Sequence, residues 1–85
     1  MIKRTITITS PTGLHMRPVG LLSHVASECE STVEIIHKDR RINAKSVLSI
    51  LGACICCGDE IELVCDGPDE EQTMAHLVNL LTFEI

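Results

Sequence analysis

The spacing of the apolar residues changes along this chain, and the order of those changes narrows the fold more than any other feature. From Ile2 to Ile8 they alternate with Thr and basic residues, the period-two pattern of a half-buried strand. Pro11-Thr12-Gly13 interrupts it. From about Met16 to Cys29 a helix is predicted, with Leu22, Val25, Ala26 and Cys29 at helical spacing and Leu21 beside them. Pro18 falls in its first turn, where a missing N–H costs nothing. A second strand runs from Thr32 to His37 on Val33, Ile35 and the following Ile36, and Lys38-Asp39-Arg40 turns into a short third strand, Arg41 to Ala44. Ser46 reads as the N-cap of a short helix beginning near Val47 and including Leu48, Ile50 and Leu51. After a turn at Gly58-Asp59, Ile61, Leu63 and Cys65 mark a fourth strand that Gly67-Pro68-Asp69 ends. Asp69 and Gln72 have the spacing of a capping box, and Met74, Leu77, Val78 and Leu81 form the stripe of a last helix.

The predicted order is therefore β-α-β-β-α-β-α, without repeats or linkers: a single α+β domain over residues 1–85. It is expected to be an open-faced β-sandwich, a four-stranded, mainly antiparallel sheet covered on one face by helices. A chain of this size buries only about 60–65% of its unfolded surface, which leaves little for a deep enclosed active site. Phe83 is the only aromatic, so the core must be aliphatic, and base-stacking nucleic-acid modules are disfavoured. The formal net charge of −5 also argues against nucleic-acid phosphates as a general partner. Five cysteines, an odd count, read as reduced thiols of a reducing compartment. No apolar run approaches the roughly 20 residues of a membrane span, and no signal-peptide block follows the N-terminal Lys and Arg. The expected location is the cytoplasm, without membrane insertion.

Gly13-Leu14-His15-Met16-Arg17-Pro18 holds the most chemistry. It places His15 at the entry to the first helix, where unpartnered N–H groups and the helix dipole favour an anion. Arg17 offers a planar fork suited to phosphate oxygens. An exposed imidazole, with an ordinary pKa of about 6.5, is largely neutral at pH 7 and can act as a nucleophile. From the residues alone, His15 is either a nucleophile in an anion site or a plain polar residue at a helix start.

The same hexapeptide closely resembles the active-site signature of HPr, the histidine phosphocarrier family of the phosphoenolpyruvate-dependent phosphotransferase system. Asn43-Ala44-Lys45-Ser46-Val47-Leu48 resembles that family's regulatory serine segment, and Gly67-Pro68-Asp69-Glu70-Glu71 its entry into the last helix. The resemblance implies the HPr-like fold and a carrier rather than an enzyme. Enzyme I would pass a phosphoryl group to the Nδ1 atom of His15, which would hand it to an EIIA protein while Arg17 steadies the group. It also implies a phosphorylation site at Ser46 for HPr kinase/phosphorylase, no cofactor, and a monomer that docks partners transiently, a transcriptional regulator among them. Met16, Gly20, Leu21, Val47, Leu48 and Leu51 would contribute to the docking surface, Leu21 and Leu51 being alternatively core residues.

Some positions depart from the family's usual pattern. Met16 stands where a small residue is common, Gly20 replaces a better helix former, and His24, Ser27 and Ser49 replace residues that are often basic in enteric members. A regulatory branch, of nitrogen or catabolite-control type and acting by phosphorylation-dependent binding, is the alternative function. Cys54-Ile55-Cys56-Cys57 lacks the paired C-x₂₋₄-C spacing of structural zinc, so its thiols are read as core or loop residues with no metal site. His24, His37 and His76 are expected at the surface or at strand edges, and the acidic run from Asp69 to Glu71 as a helix start without a ligand.

Overall fold

The computed structural model describes residues 1–9, 13 and 16–83, leaving aside the side chains of Met16, Arg17 and Phe83. Its elements follow the predicted order: β1 (Ile2–Thr7), α1 (Met16–Glu28), β2 (Thr32–His37), β3 (Arg40–Asn43), α2 (Val47–Gly52), β4 (Glu60–Asp66) and α3 (Glu70–Phe83). The strands form one sheet in the order β1-β4-β2-β3, and every neighbouring pair is antiparallel. The third strand begins one residue earlier than expected. Lys38 and Asp39 alone make the turn, both at positive φ (50° and 66°), as a two-residue type I′ hairpin requires.

Alternation along the strands sorts the sheet into two faces. Val33, Ile35 and His37 of β2, Ile42 of β3, and Ile61, Leu63 and Cys65 of β4 are buried on one side. There α3 packs against β4 and β1, α1 packs against α3 and α2, and α2 lies against β3. The helices contribute Val19, Leu22 and Ala26, then Ile50, then Met74, Leu77, Leu80 and Leu81. The opposite face is mostly polar around buried Val64 and half-buried Ile36; on it Arg41 donates to Glu34 at 2.8 Å.

Two expectations change. His37 is only 3% exposed, because the alternation that buries Val33 and Ile35 turns it to the same side. Its burial is tolerated because Nε2 lies 2.9 Å from the Asp59 carboxylate. Asp69 makes no capping box with Gln72. Its carboxylate instead accepts from the Glu30 and Ser31 N–H groups, each at 3.0 Å, and from the Ser31 hydroxyl. The Gly67 N–H at the start of α3 is taken by Glu70, at 3.1 Å. The α1–β2 connection is thus tied to the entry of α3, where Gly67 approaches so closely that a Cβ would lie 2.6 Å from the Ser31 Cα.

These bonds make a prediction about acid. The Ser31 hydroxyl, and after it the Glu30 N–H, hold the Asp69 carboxyl below its ordinary value; the Cys56 N–H, and after it His37, do the same for Asp59. A depressed folded-state pKa contributes stability that is fully present above the unfolded value of about 3.9 and is lost as pH falls through the folded one. The urea midpoint should therefore fall steadily below about pH 4, less steeply in Asp69→Asn. A midpoint unchanged from pH 5 to 2.5 would contradict this reading.

Candidate functional site

Gly13 is the fixed point from which the site is built. Its φ of +68° suits a residue without Cβ, and the α2–β4 loop is packed directly against it. A Cβ at Gly13 would lie 2.7 Å from the Ile55 carbonyl oxygen and 2.9 Å from the Cys56 Cα. Three residues on, α1 begins at Met16 with no acidic residue in its first turn, and the buried Pro18 pre-sets the backbone there. The N–H groups of that turn and the helix dipole favour an anion. Leu14 and His15 lie outside the described residues; Met16 and Arg17 are placed in the first turn of α1 by their backbone.

The second half of the candidate surface is α2. Ser46 is its N-cap, extended at φ −106° and ψ 110°, and its hydroxyl accepts from the Ser49 N–H at 3.2 Å, as predicted. The Ser23 hydroxyl of α1 donates to the Lys45 carbonyl at 3.0 Å and so holds the approach to α2 against α1. Leu48 is 82% exposed and Leu21 is exposed too, two of the three large hydrophobics that stand out to solvent among the described residues. Gly20 is also exposed, with nothing within 4 Å of where a Cβ would stand. Val47 and Leu51 are half-buried and pack on the core, so Leu51 has more of the core character that the sequence left open. His24 and His76 are at the surface, as expected.

The loop that supports Gly13 holds what the sequence reading missed. Asp59 Oδ2 meets both His37 Nε2 at 2.9 Å and the Cys56 N–H at 3.0 Å. Its own N–H donates to the Cys56 carbonyl, its carbonyl accepts from the Ile8 N–H at 2.8 Å, and the Gly58 N–H reaches the Ile8 carbonyl at 2.7 Å. The signal was present in the period-two burial of β2, which places His37 inside and calls for a partner. Cys54, Cys56 and Cys57 are exposed loop residues, with the Cys57 thiol 3.8 Å from the Thr9 carbonyl. Cys65 differs, because burial, and after it Cys29, pushes its thiol up to about 11. It therefore stays protonated and unreactive at neutral pH.

Comparison with known proteins decides the class. A family model described as PTS-HPr, the PTS HPr component phosphorylation site, matches residues 2–82. The chain belongs to the HPr family. The "Phosphocarrier protein HPr" of Treponema pallidum is 32% identical over 80 residues, covering 94% of this chain and 91% of that one. The crystal structure of HPr-C-His from Thermoanaerobacter tengcongensis superposes with a TM-score of 0.92 at 34% identity, covering 96% of this chain and 92% of that one. Crh, the catabolite repression HPr of Bacillus subtilis, was solved as a swapped dimer; it matches with a TM-score of 0.77 at 26% identity, over 100% of this chain and 98% of that one. The all-antiparallel sheet with its three helices is thus the HPr fold, and the chain is an HPr phosphocarrier of the phosphotransferase system. No helix among the described residues is long and apolar enough to cross a membrane.

Proposed function

We propose that this HPr protein carries the phosphoryl group on His15. The observation that supports this reading most directly is the position of Gly13-Leu14-His15-Met16-Arg17-Pro18 at the start of α1, whose first turn has no carboxylate to compete with a phosphoryl group. In the proposed step the neutral His15 Nδ1 attacks the phosphorus of phospho-Enzyme I. The bond between phosphorus and the donor group of Enzyme I breaks as the new P–N bond forms, and the donor group leaves with its electron pair. The reverse geometry then serves transfer to an EIIA protein. Arg17 is assigned the role of offsetting phosphoryl charge with its guanidinium. A single cytoplasmic domain acting as a monomer suffices, since each partner supplies the remainder of the reacting site.

Docking is assigned to the face made by α1 and α2: Met16, Gly20, Leu21, Val47 and Leu48, with Leu51 behind them. Exposed apolar side chains next to open space at Gly20 suit a small, exchangeable interface. Ser46 supports a second, regulatory reading. Its hydroxyl caps α2, which carries exposed Leu48, so a phosphate there would add about −1.5 to −2 charge to the docking face without unfolding α2.

Incubation with phosphoenolpyruvate and Enzyme I should add one acid-labile phosphoryl group to the native chain and none to His15→Ala, read by intact mass. Phosphorylation of the variant would remove the assignment to His15. An acid-stable phosphate after HPr kinase treatment, absent from Ser46→Ala, is the corresponding result for Ser46.

A further inference from the structure

We infer that Asp59 is a positioning residue for the segment that bears His15, acting through the α2–β4 loop; its part in transfer rests on the assignment of the phosphoryl group to His15. The stretch that includes His15 is bordered on one side by the exit of β1 and on the other by α1. The loop that Asp59 closes meets both Ile8, just past β1, and Gly13, just before α1. Ile8 is held by two main-chain bonds from Gly58 and Asp59, at 2.7 and 2.8 Å. Gly13 rests on the Ile55 carbonyl and the Cys56 Cα with no space for a methyl group between them.

What fixes the loop itself is the Asp59 carboxylate. One oxygen accepts from the Cys56 N–H, which shapes the turn, and meets the buried His37 Nε2, which anchors the turn to the end of β2. His37 has no other described side-chain partner. An imidazole 3% exposed and facing a carboxylate gives the loop a rigid connection to the sheet that a solvent-exposed pair would lack. The chain of contact runs from β2 through His37, Asp59 and Cys56 to Gly13, two residues before His15. Leu21 and Leu48, on the proposed docking face, are not part of it.

A positioning role and a docking role separate in kinetics. Transfer from phospho-Enzyme I is measured on the native chain, Asp59→Ala and Asp59→Asn. Asp59→Ala should slow the transfer step on the order of tenfold, since small misplacements of a reacting atom are costly, while KM for Enzyme I stays within about twofold. Asp59→Asn keeps an oxygen for the Cys56 N–H and should recover most of the rate. Backbone amide resonances read the same connection without any donor: those of Gly13 and His15 should move in Asp59→Ala and return toward native in Asp59→Asn. Unmoved Gly13 and His15 resonances, equal loss in both variants, or a change confined to KM would each overturn the inference. A native chain that takes no phosphoryl group would instead overturn the assignment to His15, with the resonances still deciding the role of Asp59 in holding the segment.

Discussion

Gly13→Ala should cost this protein roughly 2–5 kcal/mol of stability, a large share of the 5–15 kcal/mol typical of a folded domain. Two effects add. An L-residue held at φ +68° carries about 1–2 kcal/mol of steric strain. The new methyl would also sit 2.7 Å from the Ile55 oxygen and 2.9 Å from the Cys56 Cα, both main-chain atoms that can yield only if the loop moves, adding about 1–3 kcal/mol of overpacking. At about 4–8 °C per kcal/mol for a domain of this size, the melting midpoint should fall by roughly 8–40 °C. Gly20→Ala is the internal control. It lies in mid-helix with nothing within 4 Å, and it should raise stability by about 0.5–1 kcal/mol. Equal melting of Gly13→Ala and native protein would show that the loop does not support Gly13 as described.

Leu63→Ala should be as damaging for a different reason. Leu63 has no exposed surface and sits midway along β4, paired with Arg4 of β1 on one side and Ile35 of β2 on the other. A Leu-to-Ala change in a tightly packed core costs about 2–5 kcal/mol, the upper part applying where neighbours cannot collapse into the gap. Here the neighbours are held by two strand ladders, and the core side chains among the described residues are aliphatic or sulfur-bearing. Urea unfolding should show a midpoint lowered in proportion, with an unchanged slope. A cost below about 1 kcal/mol would mean that the sheet relaxes around the cavity.

The legible part of this structure was the part governed by local periodicity. Alternation in Ile2–Ile8 and Ile61–Cys65, the stripe from Met74 to Leu81 and the Ser46 cap each reflect bonds or burial within a few residues, so spacing reveals them. Strand order was not legible, because β4 pairs with β1 and β2 across long separations and nothing in those strands states their register. His37 follows the same alternation as its apolar neighbours Val33 and Ile35, and the strand's period overrides the usual preference of an imidazole for the surface. Asp69 looked like a cap because sequence shows its neighbours in α3 and not the Ser31 turn that reaches it from the other side. At the site, the hexapeptide around His15 stood out by chemistry. The support beneath Gly13 did not, since main-chain contact between distant segments leaves no mark on residue type except the glycine itself.

The central place of β4 also sets the timing of folding. Of the three strand pairings, only the β2–β3 hairpin joins neighbours in the chain; β1 has no partner at all until residues 60–66 are available. During synthesis the first strand must wait through four later elements before it can be paired, and the sheet closes only when all but α3 has been made. Closing loops of that length before contacts can reward it slows the nucleation step, placing this fold among mixed domains rather than fast helical bundles. A chain halted before β4 is left with an unpaired first strand and an unfilled hairpin face, the species on which chaperones and proteases act.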